Sequence, residues 1–210
     1  MSSLAVAEEQ KTIKLLVWDL DNTLWEGTLL EGDRLRIREG LVATLKVLDE
    51  RGILLDYLGH YRLTLQMKCA DLNAEQLARR SVPPSTMSLL GLVRHLAEEE
   101  RHVRRVMAGE DAPKLYATDE DRDGDWNGAI ADPAVVEDAW RQWRAEQELT
   151  DQFVAGVADL GAWNSGVSDL GPDGADVQLR EILVAHIAEY ARHCGHADLL
   201  RERIDGRVGQ

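Results

Sequence analysis

Apolar residues recur along most of the chain at the spacing of helices that bury one face. The clearest pattern covers residues 87–107, where leucine and valine return every three or four positions. Comparable patterns cover residues 54–71, 133–160 and 177–203. Pro133 suits the first turn of the third segment because its missing N–H needs no partner there. Four long amphipathic segments predict a mainly α fold, built as a four-helix bundle.

The first fifty residues follow a different pattern. Residues 13–20 form a short apolar run with a β-branched centre, which predicts a buried strand. Residues 21–33 contain two glycines and predict a loop, and residues 39–51 predict a helix that ends at Gly52. We expect residues 1–10 to be disordered. A small strand–loop–helix element therefore precedes the bundle, and apolar residues continue across the junction, which predicts that the two parts pack together.

Composition and charge exclude several classes of protein. A net charge of −14 argues against binding to nucleic acid or to an anionic membrane surface. The sequence has no run of about eighteen apolar residues, and its N-terminus lacks the basic and apolar regions of a secretion signal. Two cysteines, Cys69 and Cys194, are too few for a disulfide scaffold. We therefore expect a reduced, cytoplasmic protein that acts on a small-molecule substrate.

Asp19 and Asp21 form an Asp-x-Asp-x-Thr motif directly after the predicted strand. At the end of a strand, the first carboxylate can attack phosphorus and the second can act as acid and base. The stretch VWDLDNTLWEGTLLEGD resembles the haloacid dehalogenase superfamily, most closely its FkbH-like members, which load glyceryl units in polyketide pathways. The resemblance covers residues 11–53. It implies that Asp19 is a nucleophile and Asp21 an acid/base.

The other parts of such a phosphatase do not follow in the sequence. The superfamily also uses a Ser or Thr after a second strand, a distant Lys and a further acidic pair. The chain after residue 53 predicts no strands to carry them, and a lone strand cannot form that sheet. We interpret residues 11–53 as a truncated fragment without phosphatase activity. Pairing of two such strands across a homodimer would satisfy their open edges.

The fourth helical segment carries a second group of candidate residues. The segment contains His186, Glu189, His193 and His196. In a helix that turns by about 100° per residue, these four side chains fall within about 80° of arc and therefore point to the same side. Glu189 and His193 are four residues apart, so one helix can present both to a single ion. His95, on the apolar face of the second segment, is the candidate third ligand. Two histidines and a carboxylate leave coordination positions open, as in a catalytic site. Spacing alone leaves a second interpretation open, in which these are hydrogen-bonded core residues.

Two longer stretches carry a family resemblance. LLGLVRHLAEEERHVRRVMAGE and LREILVAHIAEYARHCGHADLLRERIDG resemble the DinB-like metalloprotein superfamily, most closely its actinobacterial branch with mycothiol-dependent enzymes. The resemblance covers residues 54–210. It implies a four-helix bundle that holds a divalent metal, typically zinc, with nickel as an alternative. The ligands that it implies are His95, Glu189 and His193.

The same resemblance suggests roles for three further residues. His186 and His196 would lie beside the ligands or face the substrate, and Arg192 would bind the carboxylate of a thiol cofactor. The cofactor itself would be mycothiol or another low-molecular-weight thiol. The activity would be thiol-dependent S-transfer or isomerisation. Two alternatives stay open: a metal-assisted cyclase or lyase that acts on a polyketide intermediate without thiol, and a non-enzymatic binding or scaffold protein. The FkbH-like fragment suggests, by association, a secondary-metabolite pathway.

Three further features have simpler interpretations. The loop at residues 109–132 carries DEDRDGD, which imitates a calcium-binding loop, but its twelfth position is Ile130 instead of the required Glu. The loop is therefore predicted to be solvated. Trp126 is predicted to be a core residue. Cys194, beside a predicted ligand, is interpreted as a small buried hydrophobe in preference to a reactive thiol.

Overall fold

The structure is a computed structural model of the chain. It describes residues 25–26, 36–37, 41–109, 113–164 and 177–209, with side chains from Glu50 onward apart from Asn164. The chain divides into two units, one ending at Lys46 and one starting at Val47. The predicted disorder at residues 1–10, the predicted strand at 13–20 and the motif of Asp19 and Asp21 lie outside the described residues.

A short antiparallel ladder is described in the first unit. Strand β1 (Trp25–Glu26) pairs with strand β2 (Arg36–Ile37), with Trp25 opposite Ile37. The prediction of a loop at residues 21–33 is therefore wrong at residues 25 and 26. Aromatic and β-branched residues favour strands, and pairing across the two strands satisfies backbone groups that a loop would leave to water.

The first long helix, α1 (Leu41–Cys69), is continuous over 29 residues. The prediction that a helix ends at Gly52 is wrong. A glycine inside a helix costs only about 1 kcal/mol relative to alanine. Burial of the residues that follow offsets this cost, because Leu58 and Leu65 are almost completely buried and each such side chain contributes about 1.5–3 kcal/mol.

The second unit contains the other helices and a second short ladder. Its elements after α1 are α2 (Ala74–Ala78), α3 (Leu89–Ala108), α4 (Gly124–Asn127), α5 (Pro133–Gly156), β3 (Trp163–Asn164), β4 (Val177–Gln178) and α6 (Leu179–Asp205). The side chain of Ser88 accepts a hydrogen bond from Gly91 N at the start of α3, and Asp132 caps α5 in the same way through Ala134 N. The predicted second, third and fourth helices are confirmed to within a few residues, whereas α2, α4 and the ladder of β3 with β4 were not predicted.

The four long helices share one apolar core. Helix α3 contacts both α5 and α6, and α1 contributes Leu58 and Leu65 to the same cluster of buried side chains as Trp143 of α5 and Leu200 of α6. The mainly α fold predicted from the sequence is confirmed. Among the described residues, no helix combines the length and the apolar character that a membrane span requires.

A buried hydrogen-bonded group, here called the Glu100 network, connects the same four helices. Its members are Arg62 of α1, Glu100 of α3, Trp143 of α5 and Tyr190 of α6. Arg62 donates two hydrogen bonds to the Glu100 carboxylate, at 2.8 and 2.9 Å. Tyr190 donates a third at 2.8 Å and accepts one from the Trp143 indole at 2.9 Å. Because Tyr190 follows Glu189 directly, the network fixes the position of α6 along α3 near the predicted ligands.

Candidate metal centre

The structure brings the three predicted ligands together. His95, on α3, and Glu189 and His193, one turn apart on α6, each offer a ligand atom, and these atoms all lie within 4.8 Å of one another. Glu189 Oε1 lies 2.8 Å from Nε2 of His193 and 3.4 Å from Nε2 of His95. We call this group the candidate metal centre. That it binds a metal stays a prediction.

The donors of this centre fit a divalent metal. Two imidazole nitrogens and one carboxylate oxygen are ligands that Zn²⁺ accepts, and three protein ligands leave a position for water or substrate. The side chains are 18 % exposed for His95, 19 % for Glu189 and 8 % for His193. The centre is thus sheltered by protein while two of its ligands still reach solvent, as an open catalytic site requires.

The surroundings of the three ligands set their protonation. Burial, reinforced by the nearby charge of His95, lowers the pKa of His193 to about 4 despite the proximity of Glu189. Burial raises the pKa of Glu189, but the charge of His193 and the hydrogen bond to His95 outweigh it, so the pKa is lowered. Burial lowers the pKa of His95, but its hydrogen bond to Asp125 and the charge of Glu99 outweigh burial and raise it. At neutral pH the centre therefore presents an ionised carboxylate and a neutral His193.

Two residues that the sequence did not single out as site residues contact His95. Asp125 Oδ2 lies 2.8 Å from Nδ1 of His95, and the Trp126 ring stacks on the imidazole with centroids 4.9 Å apart. Both residues belong to α4, inside the loop predicted to be solvated. Asp125 is only 6 % exposed, so that prediction is wrong at this position. In the local sequence, the features that could have indicated an ordered turn here are the glycines at 124 and 128, on either side of Asp125 and Trp126.

The other predicted site residues occupy different surroundings. His196 Nδ1 lies 3.3 Å from Nδ1 of His193. Arg192 is 64 % exposed and forms an ion pair with Glu189. His186 is absent from the candidate metal centre, since its fully buried side chain places Nε2 3.3 Å from Oε2 of Glu100.

A cavity between α3 and α6 lies next to the centre. It encloses about 200 Å³, and Glu189 and Arg192 form part of its lining together with His102. Its other walls include the apolar side chains of Val103 and Ile182. A larger open groove of about 610 Å³ is lined by Arg105 and by six residues between Pro113 and Arg122, but by none of the predicted ligands. The smaller cavity is the relevant one for chemistry because it shares a ligand with the centre.

Comparisons with known proteins agree with this fold. A search of curated proteins gives no significant match. A solved structure described as the conserved protein of locus from Enterococcus faecalis is similar, with a TM-score of 0.54 and 15 % identity over 74 % of this chain and 97 % of that one. At that identity the likeness shows the fold alone.

The model of one protein family, described as mycothiol-S-transferase, matches residues 53–206. The comparisons do not support the resemblance of residues 11–53 to the haloacid dehalogenase superfamily. The match bears out the predicted DinB-like superfamily. Because the matched residues are well over half of the chain, the protein belongs to the mycothiol-S-transferase family.

Proposed function

We propose that the protein is a metal-dependent enzyme that joins a low-molecular-weight thiol, such as mycothiol, through its sulfur to a small electrophile. The convergence of His95, Glu189 and His193 beside a cavity carries the proposal. These residues would hold one divalent ion, with zinc the first candidate and nickel the alternative. Such an ion, when bound, lowers the pKa of a thiol or a water molecule and so supplies a nucleophile at neutral pH. The family description supports a thiol as the sulfur donor.

The lining of the cavity suggests how substrates are held. Val103 and Ile182 would contact the carbon skeleton of the electrophile and exclude water from it. Arg192 carries an exposed guanidinium beside Glu189, where it can bind a carboxylate of an acidic electrophile. His102 lines the same cavity, where its imidazole is a candidate general base. This residue would accept the thiol proton.

The reaction can be written as an addition to an activated carbon–carbon double bond. A carbon–sulfur bond forms, the double bond becomes single, and the proton released by the thiol ends on the neighbouring carbon. Addition alone is S-transfer. Reversal of the addition after rotation about the new single bond is isomerisation and regenerates the thiol. The suggestion that the enzyme acts in a polyketide pathway comes only from the resemblance of residues 11–53 to FkbH-like proteins.

Metal analysis tests the centre on which this proposal depends. The purified wild-type protein is expected to hold about one divalent metal per chain, and His193→Ala is expected to lose it, because an open site with two remaining ligands binds weakly. His60→Ala is the matched control, since His60 is an exposed histidine of α1. A wild-type protein without metal, whose melting temperature does not respond to Zn²⁺ or Ni²⁺, would contradict the proposal.

Thiol dependence separates the classes of reaction. The metal-loaded protein is incubated with a small electrophile in the presence of mycothiol, of cysteine or of neither, and thiol loss and product are followed. Turnover only with thiol supports S-transfer if the thiol is consumed and isomerisation if the thiol is regenerated. Turnover without thiol would favour the cyclase or lyase alternative, and a fully loaded protein that turns over no electrophile would favour a binding protein.

A further inference from the structure

We infer that Asp125 and Trp126 are positioning residues, which hold the His95 ring so that its Nε2 faces Glu189 and His193. The inference rests on the proposed function, because it concerns a ligand of the candidate metal centre. It assigns a role to α4, a four-residue helix in an acidic loop. Its evidence is a set of contacts to His95 that are separate from the ligand atoms.

Asp125 determines which nitrogen of His95 carries the proton. Its Oδ2 lies 2.8 Å from Nδ1 of His95. An ionised carboxylate can only accept hydrogen bonds, so Nδ1 must be the donor. Nε2 faces the Glu189 carboxylate at the longer distance of 3.4 Å, so the shorter contact with Asp125 favours the proton on Nδ1 in the neutral ring and leaves the Nε2 lone pair available to an ion. A carboxylate on the far nitrogen of a ligating histidine fixes the tautomer and the ring orientation in this way.

Asp125 is itself held against α3. Its second carboxylate oxygen accepts a hydrogen bond from Trp126 N at 2.9 Å. Arg94, which precedes His95 on α3, donates to the carbonyl oxygens of Asp125 at 2.8 Å and of Gly124 at 2.9 Å. Because the anchoring residue is the chain neighbour of the histidine, α4 is attached to the same part of α3 that presents His95.

The Trp126 indole packs against one face of the His95 imidazole and restricts its movement. The indole and imidazole planes meet at 28° with centroids 4.9 Å apart. The indole can lie this close to α3 because Gly91 stands one turn before His95: a Cβ there would be 2.7 Å from Cε3 of Trp126. The glycine and the stacked ring thus belong to one arrangement, in which α4 covers His95 without displacing it.

Packing alone does not account for a carboxylate at this position. Asp125 is 6 % exposed, and burial of a charged group is costly unless hydrogen bonds compensate for lost water. An apolar side chain would fill the same space without that cost. The acceptor role toward His95 supplies a reason for the charge, and it can be separated from packing by experiment.

The test compares Asp125→Ala and Asp125→Asn with wild type and with Asp119→Asn, an exposed acid of the same loop. Zn²⁺ affinity is measured by chelator competition, and the centre is observed by the absorption spectrum of bound Co²⁺. Asp125→Ala is expected to bind Zn²⁺ about 10–100-fold more weakly and to change the Co²⁺ spectrum. Asp125→Asn keeps the shape and one acceptor oxygen, so it is expected to fall between. Asp119→Asn is expected to match wild type.

A measurement on the metal-free protein separates this inference from the proposed function. Nitrogen NMR of the neutral His95 ring is expected to show the proton on Nδ1 in wild type and a shift toward the other tautomer in Asp125→Ala. If the wild type binds no Zn²⁺, the proposed function fails, and the tautomer still decides the inference. Unchanged Zn²⁺ affinity, Co²⁺ spectrum and tautomer in Asp125→Ala would overturn it and leave α4 as a packing element.

Discussion

Glu100 and Arg62 form a two-point ion pair in the middle of the helical core, with Nε 2.8 Å from Oε1 and Nη2 2.9 Å from Oε2. Burial lowers the pKa of Arg62, but the charge of Glu100 more than offsets it, so the pKa is raised and the guanidinium stays charged. The same carboxylate accepts the Tyr190 hydroxyl at 2.8 Å. This pair therefore supports the contact between α3 and α6 on which the candidate metal centre depends.

Removal of the Glu100 charge is expected to destabilise the fold strongly. Glu100→Gln leaves Arg62 buried without its main anionic partner, and breaking a buried pair from one side costs about 3–5 kcal/mol. The free energy of unfolding is measured by urea denaturation. Glu148→Gln, an exposed residue of α5, is the control and is expected to change little. Equal stability of the two variants would contradict a structural role for the Glu100 network.

The same pair predicts a loss of stability in acid. Burial raises the pKa of Glu100, but the charges of His186 and Arg62 outweigh it, so the folded-state pKa lies well below its usual range. A carboxylate with a lowered folded pKa stabilises the protein fully above its unfolded pKa of about 4.3 and loses this effect as the pH falls toward the folded value. The unfolding free energy, measured by urea at steps from about pH 7 to pH 3, should drop below about pH 5. Glu100→Gln should show a shallower drop, and identical slopes would refute the assignment.

Helical periodicity was sufficient to predict α3, α5 and α6, because each buries one regular face. It also placed His95, Glu189 and His193 on inward positions of two such helices, which the structure brings within ligand distance. Gly52 was misread because a glycine is a local stop signal, whereas the continuity of α1 depends on burial of residues further along, such as Leu58.

The contact of Asp125 with His95 could not be predicted in the same way. The two residues are 30 positions apart, and the loop between them has no apolar period to fix its path. Its acidic composition indicates solvent exposure, which is correct for Asp119 and wrong for Asp125. Only the tertiary position of α4, set by Arg94 and Gly91, distinguishes the two acids.

Gly91→Ala is expected to displace the Trp126 ring that stacks on His95, although Gly91 is not itself a predicted ligand. The added Cβ would lie 2.7 Å from Cε3 of Trp126, so the indole must move, at a cost of about 1–3 kcal/mol for overpacking. Stability is measured by urea denaturation and Zn²⁺ affinity by chelator competition, and both are expected to decrease. Gly59→Ala is the control because its Cβ would meet nothing within 4 Å. Wild-type affinity in Gly91→Ala would show that the position of Trp126 does not matter to the centre.

The Asp19 motif is expected to be inactive in phosphate chemistry. The sequence predicts no parallel sheet after residue 53 that would carry a Lys or Thr near Asp19, and the later strands described, β3 and β4, form only a short antiparallel ladder. Phosphoryl transfer depends on the charge stabilisation that such residues supply. Hydrolysis of p-nitrophenyl phosphate with Mg²⁺ should stay at background in the full chain. Asp19→Asn serves as the comparison. Robust turnover that disappears in this variant would contradict the interpretation of residues 11–53 as a fragment.

Cys194 is expected to be unreactive although it adjoins His193. The residue is 5 % exposed, and its Sγ lies 3.5 Å from the carbonyl oxygen of Tyr61. Burial, aided by the charge of Asp198, raises the pKa of the thiol to about 11, so little of the nucleophilic thiolate exists at neutral pH. Burial likewise raises the pKa of Cys69 to about 12. Ellman's reagent should therefore label neither cysteine in the folded protein and both after unfolding in guanidinium. Rapid labelling of one thiol in the native protein, lost in Cys194→Ala, would instead make Cys194 a candidate nucleophile.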